Sequence, residues 1–256
     1  MSCYCHTDFS CSHRTRRFGD RLFNYIDYGV QVETTWAEEW WTLVTCPEEV
    51  CDNHHGESDA HIDSVIIAVD GACRNNGGPG ARAAAGIFFH RDNDQWNQAI
   101  LIDDKNPTSQ RAELVAAREA LALAIRLRHL NPSYSRRSVY RRKGPTRRLR
   151  RVVIKSDSAY VVNAMTDWID TWKQNGFRNC RGLPVANESL FRSIDEHIKT
   201  LNGIDVEVQF WHVPRGQNEE ADLLANAALG GKTAAEALSR NAGSTNQSYD
   251  DSDSDY

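Results

Sequence analysis

Residues 64–80 read Ser64-Val65-Ile66-Ile67-Ala68-Val69-Asp70-Gly71-Ala72-Cys73-Arg74-Asn75-Asn76-Gly77-Gly78-Pro79-Gly80, and the fold is decided here. Val65 to Val69 is a β-branched apolar run that ends at Asp70 and a glycine-rich loop, which reads as a buried strand followed by a tight turn. Ala84 to Phe89 and Trp96 to Ile102 follow at short spacing, as in an antiparallel meander. Thr108 can cap a long helix with Leu114, Ala117, Leu121 and Ala124 along one face, and Asn131-Pro132 ends it. A strand through Val152, Val153 and Ile154 reaches Asp157. Helices over Ser158 to about Trp172, Asn187 to Leu201 and Asn218 to Leu229 surround one more strand, Val206 to Val213. Three strands, then helix, strand, helices, strand and helix describe an α/β fold with a mixed sheet.

The 256 residues suffice for one ordinary domain with extensions. Hydrophobic residues make up 40% of the chain, which excludes a wholly disordered or fibrous protein. No stretch approaches the roughly 18 consecutive apolar residues of a membrane span, and the N-terminus lacks an apolar leader. The expectation is an intracellular chain without membrane association, in nucleus or cytoplasm before mitochondrion, and monomeric. Net charge is −5, unlike a typical nucleic-acid binder, but its distribution is uneven. Nine Arg or Lys fall between Arg136 and Arg151 with no acid, while Asp250, Asp251, Asp253 and Asp255 crowd the end.

Four acids stand at element ends: Asp70 after the first strand, Glu113 in the first turns of the long helix, Asp157 after the fourth strand, and Asp222 early in the last helix. If the strands bearing Asp70 and Asp157 are neighbours, both carboxylates emerge at the same sheet edge, where ligands of α/β proteins commonly sit. Convergent carboxylates repel and need a counter-charge. Hard oxygen donors suit Mg²⁺, with Mn²⁺ as a substitute, and two such ions can activate water and stabilise the leaving oxygen of a phosphodiester.

The acids sit in the contexts Asp70-Gly71-Ala72-Cys73-Arg74-Asn75-Asn76-Gly77-Gly78-Pro79-Gly80, Thr108-Ser109-Gln110-Arg111-Ala112-Glu113-Leu114, Ser156-Asp157-Ser158-Ala159-Tyr160-Val161 and Asn218-Glu219-Glu220-Ala221-Asp222-Leu223-Leu224-Ala225. In these four motifs, in this order, the sequence resembles the type 1 ribonucleases H over about Ser64 to Leu229. The resemblance implies a ribonuclease H-like fold, a mixed five-stranded sheet flanked by helices. It implies a metal-dependent endoribonuclease that cuts the RNA strand of RNA/DNA hybrids without sequence preference, leaving 5′-phosphate and 3′-hydroxyl ends. By the same resemblance Asp70, Glu113, Asp157 and Asp222 are the metal-binding catalytic carboxylates. Asn76, Ser109 and Gln110 match positions that touch sugars and bases across the minor groove, where the 2′-hydroxyl separates RNA from DNA. Thr108 and Asn187 match a pocket for a DNA-strand phosphate, and Cys73 a position near the substrate backbone. Tyr160 and Trp168 match aromatics along the DNA channel; packing of an amphipathic helix stands beside that reading.

Relatives usually carry a histidine on a loop before the last helix. Here that segment is the shorter His212-Val213-Pro214-Arg215-Gly216-Gln217-Asn218. Aligning on Val213-Pro214 puts Arg215 in the histidine's place, whereas counting back from Asp222 gives His212; the first alignment is preferred, which leaves His212 as a packed or hydrogen-bonded strand residue. Two rival readings are an inactive nucleic-acid-binding protein of the same fold and a relative that cuts double-stranded RNA. Three units are expected: a Cys/His-rich extension over 1–60, a catalytic domain over 61–230 with a basic insertion at 133–151, and a disordered acidic tail over 231–256. Glu33 to Val44 has helical spacing, with Trp36, Trp40 and Val44 on one face. The insertion is read as auxiliary phosphate binding, with nuclear import as the competing use. Cys3, Cys5, His6, Cys11, His13, Cys46, Cys51, His54 and His55 could supply a zinc site but lack the familiar spacings, so reduced thiols are expected.

Overall fold

The computed structural model describes residues 16–18, 33–36, 41–44, 63–93, 95–130 and 149–241. Two short strands, β1 (Glu33–Trp36) and β2 (Trp41–Val44), form an antiparallel hairpin. The main sheet contains β3 (Ser64–Arg74), β4 (Arg82–Phe88), β5 (Gln98–Ile102), β6 (Arg151–Ser156) and β7 (Glu207–His212) in the order β5-β4-β3-β6-β7. The β3/β4 and β4/β5 pairs are antiparallel, and β3/β6 and β6/β7 are parallel. This is the expected mixed five-stranded sheet.

The helices are α1 (Ser109–Leu130), α2 (Ala159–Asn163), α3 (Ile169–Gln174), α4 (Glu188–Gly203), α5 (Glu219–Leu229) and α6 (Ala234–Asn241). A π-helical turn, Ala164–Trp168, joins α2 to α3. Thr108 caps α1, its Oγ1 accepting from Arg111 N at 3.3 Å and its carbonyl from Ala112 N at 2.9 Å. The expected stripe of Leu114, Ala117, Leu121 and Ala124 is fully buried, together with Val65, Ile67, Val69, Ile87, Val152 and Ile154 from one sheet face. On the other face Ala84 meets Ala228 and Leu229 of α5, Leu224 of α5 meets α6, and Ile66, Val153 and Trp211 meet Phe18 and Val44.

Several expectations change. The helix over Glu33 to Val44 is a hairpin: the i, i+4 spacing of the tryptophans imitates a helix, but the threonines and aromatics favour strands, and Trp41 and Leu43 alternate into the core. Thr42 Oγ1 donates to Phe89 O at 2.7 Å, and Val44 N donates to Ser64 Oγ at 3.0 Å, which docks β2 at the end of the sheet remote from Asp70. Parts of the first 60 residues thus belong to the packed domain. Trp96 stands in the turn before β5 and is buried against Phe89 and Trp41. The basic insertion stops earlier than position 151, since Leu149 is buried and Arg150 N and Arg151 N both donate to Asp63 O. The stretch assigned to a disordered tail contains α6, capped reciprocally by Thr233 and Glu236, with Ala234, Ala237 and Leu238 buried. The cysteines and histidines of the zinc question, most of the basic insertion and the acidic tail lie outside the described residues.

Candidate active site

The parallel register of β3 and β6 pairs Ser64 with Arg151 and Ala68 with Lys155. Continued by two residues it sets Asp70 across from Asp157 where the parallel half of the sheet stops; Asp70 does not end its strand as expected, since β3 runs on to Arg74 in antiparallel pairing with β4. Two glycines bring the other acids there. A Cβ on Gly71 would lie 2.1 Å from Glu113 N and 2.3 Å from Ala112 C, so the bare backbone lets α1 close onto β3 and carry Glu113 to the sheet end. A Cβ on Gly86, the β4 partner of Asp70, would lie 2.1 Å from Ala221 O and 2.6 Å from Ala225 N. That approach seats α5 and with it Asp222. Both roles escape sequence reading because a close approach between distant segments leaves no local pattern.

The four carboxylates sense one another. Burial first, then the charges of Asp157, Asp222 and Glu113, push the Asp70 carboxyl up to about 7. Burial, with Asp157 adding to it, raises Glu113, while a hydrogen bond from Ser158 opposes the rise. Asn218 Nδ2 donates to Asp157 Oδ1 at 3.1 Å and to Val69 O at 3.0 Å, tying the Asp157 carboxylate to β3. Ser158 and Asn218 are therefore site residues that the motifs contained but their contexts did not single out. Arg215, largely exposed, places Nη2 2.8 Å from Asp222 Oδ1, and the acids together, Asp222 first, raise its already high pKa. His212 ends β7 exposed, its Nε2 3.3 Å from Asp157 O. It is hydrogen-bonded as expected but is not packed, and it stands beside the cluster with Arg215.

Among the described residues no three acids, histidines or cysteines are drawn tightly enough around one point to form a finished metal cage. The donor set nonetheless fits a hard divalent ion: four carboxylates converge, two of them with raised affinity for protons, and only one cation, Arg215, is paired with them there among the described residues.

Beside the acids lie the other expected positions. Asn76 Oδ1 accepts from Ser109 N at 3.1 Å, joining the glycine-rich turn to the start of α1, and Gln110 is exposed next to them. Asn187 precedes α4 in the left-handed conformation (φ 62°), accepts from Arg111 Nη1 at 3.2 Å and is hydrogen-bonded to the Tyr160 side chain. Arg111, held by Asp104 at 2.6 Å, thus brings a guanidinium to the group formed by Thr108 and Asn187, a neighbour not foreseen from the sequence. Tyr160 packs edge-on against Phe191, with ring centroids 5.6 Å apart, and approaches Trp168 at 6.4 Å. Trp168 is 38% exposed, so it is more open than Tyr160. Cys73 is a half-buried free thiol on β3.

The RNase H family profile matches residues 63–230. The chain belongs to the ribonuclease H family. It is 31% identical over 167 residues to ribonuclease H1 of Mus musculus, a match covering 64% of this chain and 49% of that protein. It is 31% identical over 171 residues to ribonuclease H of Ehrlichia chaffeensis, covering 66% of this chain and 96% of that one. The match thus spans about half the length of the mouse relative. Among solved structures, the PFV RNase H domain in solution aligns with a TM-score of 0.44 at 23% identity, covering 64% of this chain and 92% of that one. The LC11 RNase H1 crystallised with an RNA/DNA hybrid aligns with a TM-score of 0.41 at 20% identity, covering 65% and 96%. Among the described residues no helix is long and apolar enough to cross a membrane.

Proposed function

We propose that this chain is a divalent-metal-dependent endoribonuclease that hydrolyses the RNA strand of RNA/DNA hybrids without sequence preference. The observation that carries the reading is the meeting of Asp70, Glu113, Asp157 and Asp222, from four separate elements, at one sheet end in a chain of this family. These four side chains would hold Mg²⁺, or Mn²⁺ in its place, and the bound metal would supply an activated water and charge stabilisation at the scissile phosphate.

The rest of the chemistry falls to the protein's own groups. Ser158 orients Glu113, and Asn218 orients Asp157. Arg215 offsets the negative charge of Asp222 and, being solvent-exposed, can follow the phosphate charge as it shifts toward the leaving oxygen. It takes the place of the loop histidine of relatives. Asn76, Ser109 and Gln110 line the approach for the minor groove of the hybrid, and Cys73 faces the substrate backbone. Thr108 and Asn187, with Arg111 behind them, receive a phosphate of the DNA strand, and Tyr160 and Trp168 meet its sugars and bases. The products carry 5′-phosphate and 3′-hydroxyl ends.

The test is cleavage of labelled RNA/DNA hybrid and double-stranded RNA by wild type and Asp157→Asn, each with Mg²⁺ and with EDTA. Hybrid cleavage that needs metal and is abolished in Asp157→Asn, with binding kept or tightened by the removal of a negative charge, is the expected result. Cleavage of the duplex RNA in preference to the hybrid would change the substrate, and a fully active Asp157→Asn would remove the assignment of the carboxylates.

A further inference from the structure

We propose that Arg17 is a positioning residue for nucleic-acid binding, fixing the π-helical turn that orients Trp168; this rests on the hybrid-binding reading above. Arg17 lies on a short arm of chain laid along the outer edge of the sheet. Arg16 O accepts from Phe210 N at 2.7 Å, and Arg17 bridges Phe210 in parallel fashion. Its neighbours pin the arm on both sides: Arg16 Nη2 is 3.2 Å from the buried Asp195, and the Phe18 ring, itself buried, lies 5.4 Å from that of Trp211.

The Arg17 side chain therefore leaves a fixed backbone, and it is directed at one target. Its Nη2 lies 2.9 Å from Asn163 Oδ1, 2.9 Å from Thr166 Oγ1 and 2.6 Å from Asp167 Oδ2. These three acceptors flank or form the π-turn, in which Ile169 N donates to Ala164 O across five residues. A π-turn is a rare, widened helical turn that is frequent at functional sites. Thr166 Oγ1 also donates to Val162 O at 2.9 Å, so the hydroxyl is shared between the helix backbone and the arm. If the turn relaxed to α-helix, everything after it would rotate by about 100°, one residue's worth of helix. Trp168 closes the turn and Trp172 follows in α3, with ring centroids 5.6 Å apart, so both aromatics would be displaced. Arg17 is 28% and Asp167 51% exposed, which makes the ion pair weak as a source of stability. What Arg17 contributes is geometry, because the two N–H groups of its single Nη2, held out from a fixed backbone, are shared among three acceptors and draw them to one point.

The experiment uses the full chain as wild type, Arg17→Ala, Arg17→Lys, Asp167→Ala, Trp168→Ala and the Arg17→Ala/Trp168→Ala double variant. Asp167→Ala removes an acceptor while leaving the arm seated. Backbone hydrogen exchange over residues 162–170 is read on the free protein, and KM and kcat on labelled hybrid with Mg²⁺. Arg17→Ala should speed exchange in that window and raise KM about three- to tenfold, equivalent to weakening one base–aromatic stacking interaction, with kcat within about twofold of wild type. Asp167→Ala should follow in the same direction, Arg17→Lys should restore part of the KM, and the double variant should have the KM of Trp168→Ala. An unchanged KM in Arg17→Ala, or a KM rise of equal size in the Trp168→Ala background, overturns the proposal. A wild type inactive on hybrid overturns the functional reading and this inference with it. That outcome is distinct from failure of the inference alone, in which the wild type cleaves and Arg17→Ala matches it.

Discussion

Removing divalent metal should make this protein lose stability as pH rises, and Asp70 sets the size of the effect. In the metal-free native state its carboxyl is pushed up to about 7 from an ordinary 3.8, by burial first and by Asp157, Asp222 and Glu113 after it. Between those two values the native protein keeps a proton that the unfolded chain has released, so the native state binds more protons and stability falls with rising pH. At about 1.4 kcal/mol per pKa unit the full shift would amount to about 4 kcal/mol above pH 7. Asp70 is only partly enclosed, and solvent screening reduces this to about 1–2 kcal/mol. For a domain of this size that is a fall of about 2–8 °C in Tm. Because other groups titrate as well, the measurement is the difference between wild type and Asp70→Asn, both stripped with EDTA, in thermal melts from pH 4 to pH 8. The two should melt alike near pH 4, separate progressively between pH 4 and pH 7 and stay apart by a constant amount above it, with Asp70→Asn the more stable. Millimolar Mg²⁺ should recover the wild type and do less for the variant. Parallel curves over the whole range would show that the carboxylates do not repel one another as described.

Three further outcomes are expected. Gly86→Ala should cost about 3 kcal/mol or more in urea unfolding and abolish activity, because the new methyl would meet Ala221 O at 2.1 Å and push α5, with Asp222, off the sheet; a stable, active variant would contradict that packing. Arg215→Ala should lower kcat about 10- to 100-fold and change KM less, whereas His212→Ala should cost about 1 kcal/mol in stability, one hydrogen bond, with a smaller drop in turnover. A His212→Ala variant that no longer turns over, yet melts like wild type, would exchange their roles. Deleting residues 138–148, which spares the buried Leu149, should weaken hybrid binding and flatten the plot of log K against log salt by about 0.9 for each phosphate no longer neutralised, irrespective of sequence; an unaltered slope would assign the basic insertion to another partner.

Features written locally are legible in the sequence. Val65 to Val69 and Val152 to Ile154 announce buried strands by composition, and Asp157 follows the end of its strand as expected, whereas β3 runs on past Asp70 to Arg74 because its second half pairs with β4, a long-range partner that composition does not display. The stripe of α1 is visible because helical packing repeats every three or four residues. The hairpin at Glu33–Val44 passes for a helix because an i, i+4 trio of apolar residues satisfies helical spacing while Trp41 and Leu43 also satisfy alternation, and only the core they enter decides between them. Helix α6 escapes notice although Thr233-Ala234-Ala235-Glu236 has the spacing of a capping box, since the polar stretch beyond it masks the signal. The contributions of Gly71, Gly86, Asn218 and Arg17 are distances between remote segments, which a linear string of residues does not display.

The arm along β7 bears on how the chain can be divided. The family match begins at residue 63, and a fragment cut there would look like a complete catalytic unit. It would lack Phe18 and Val44, leaving Ile66, Val153 and Trp211 open to water, and it would bare the β7 edge where Phe210 N now donates to Arg16 O. A bare strand edge beside an uncovered apolar face is a template for pairing with other molecules. Poor solubility of such a fragment would therefore reflect a missing cover on the sheet, not a defect in the catalytic elements themselves.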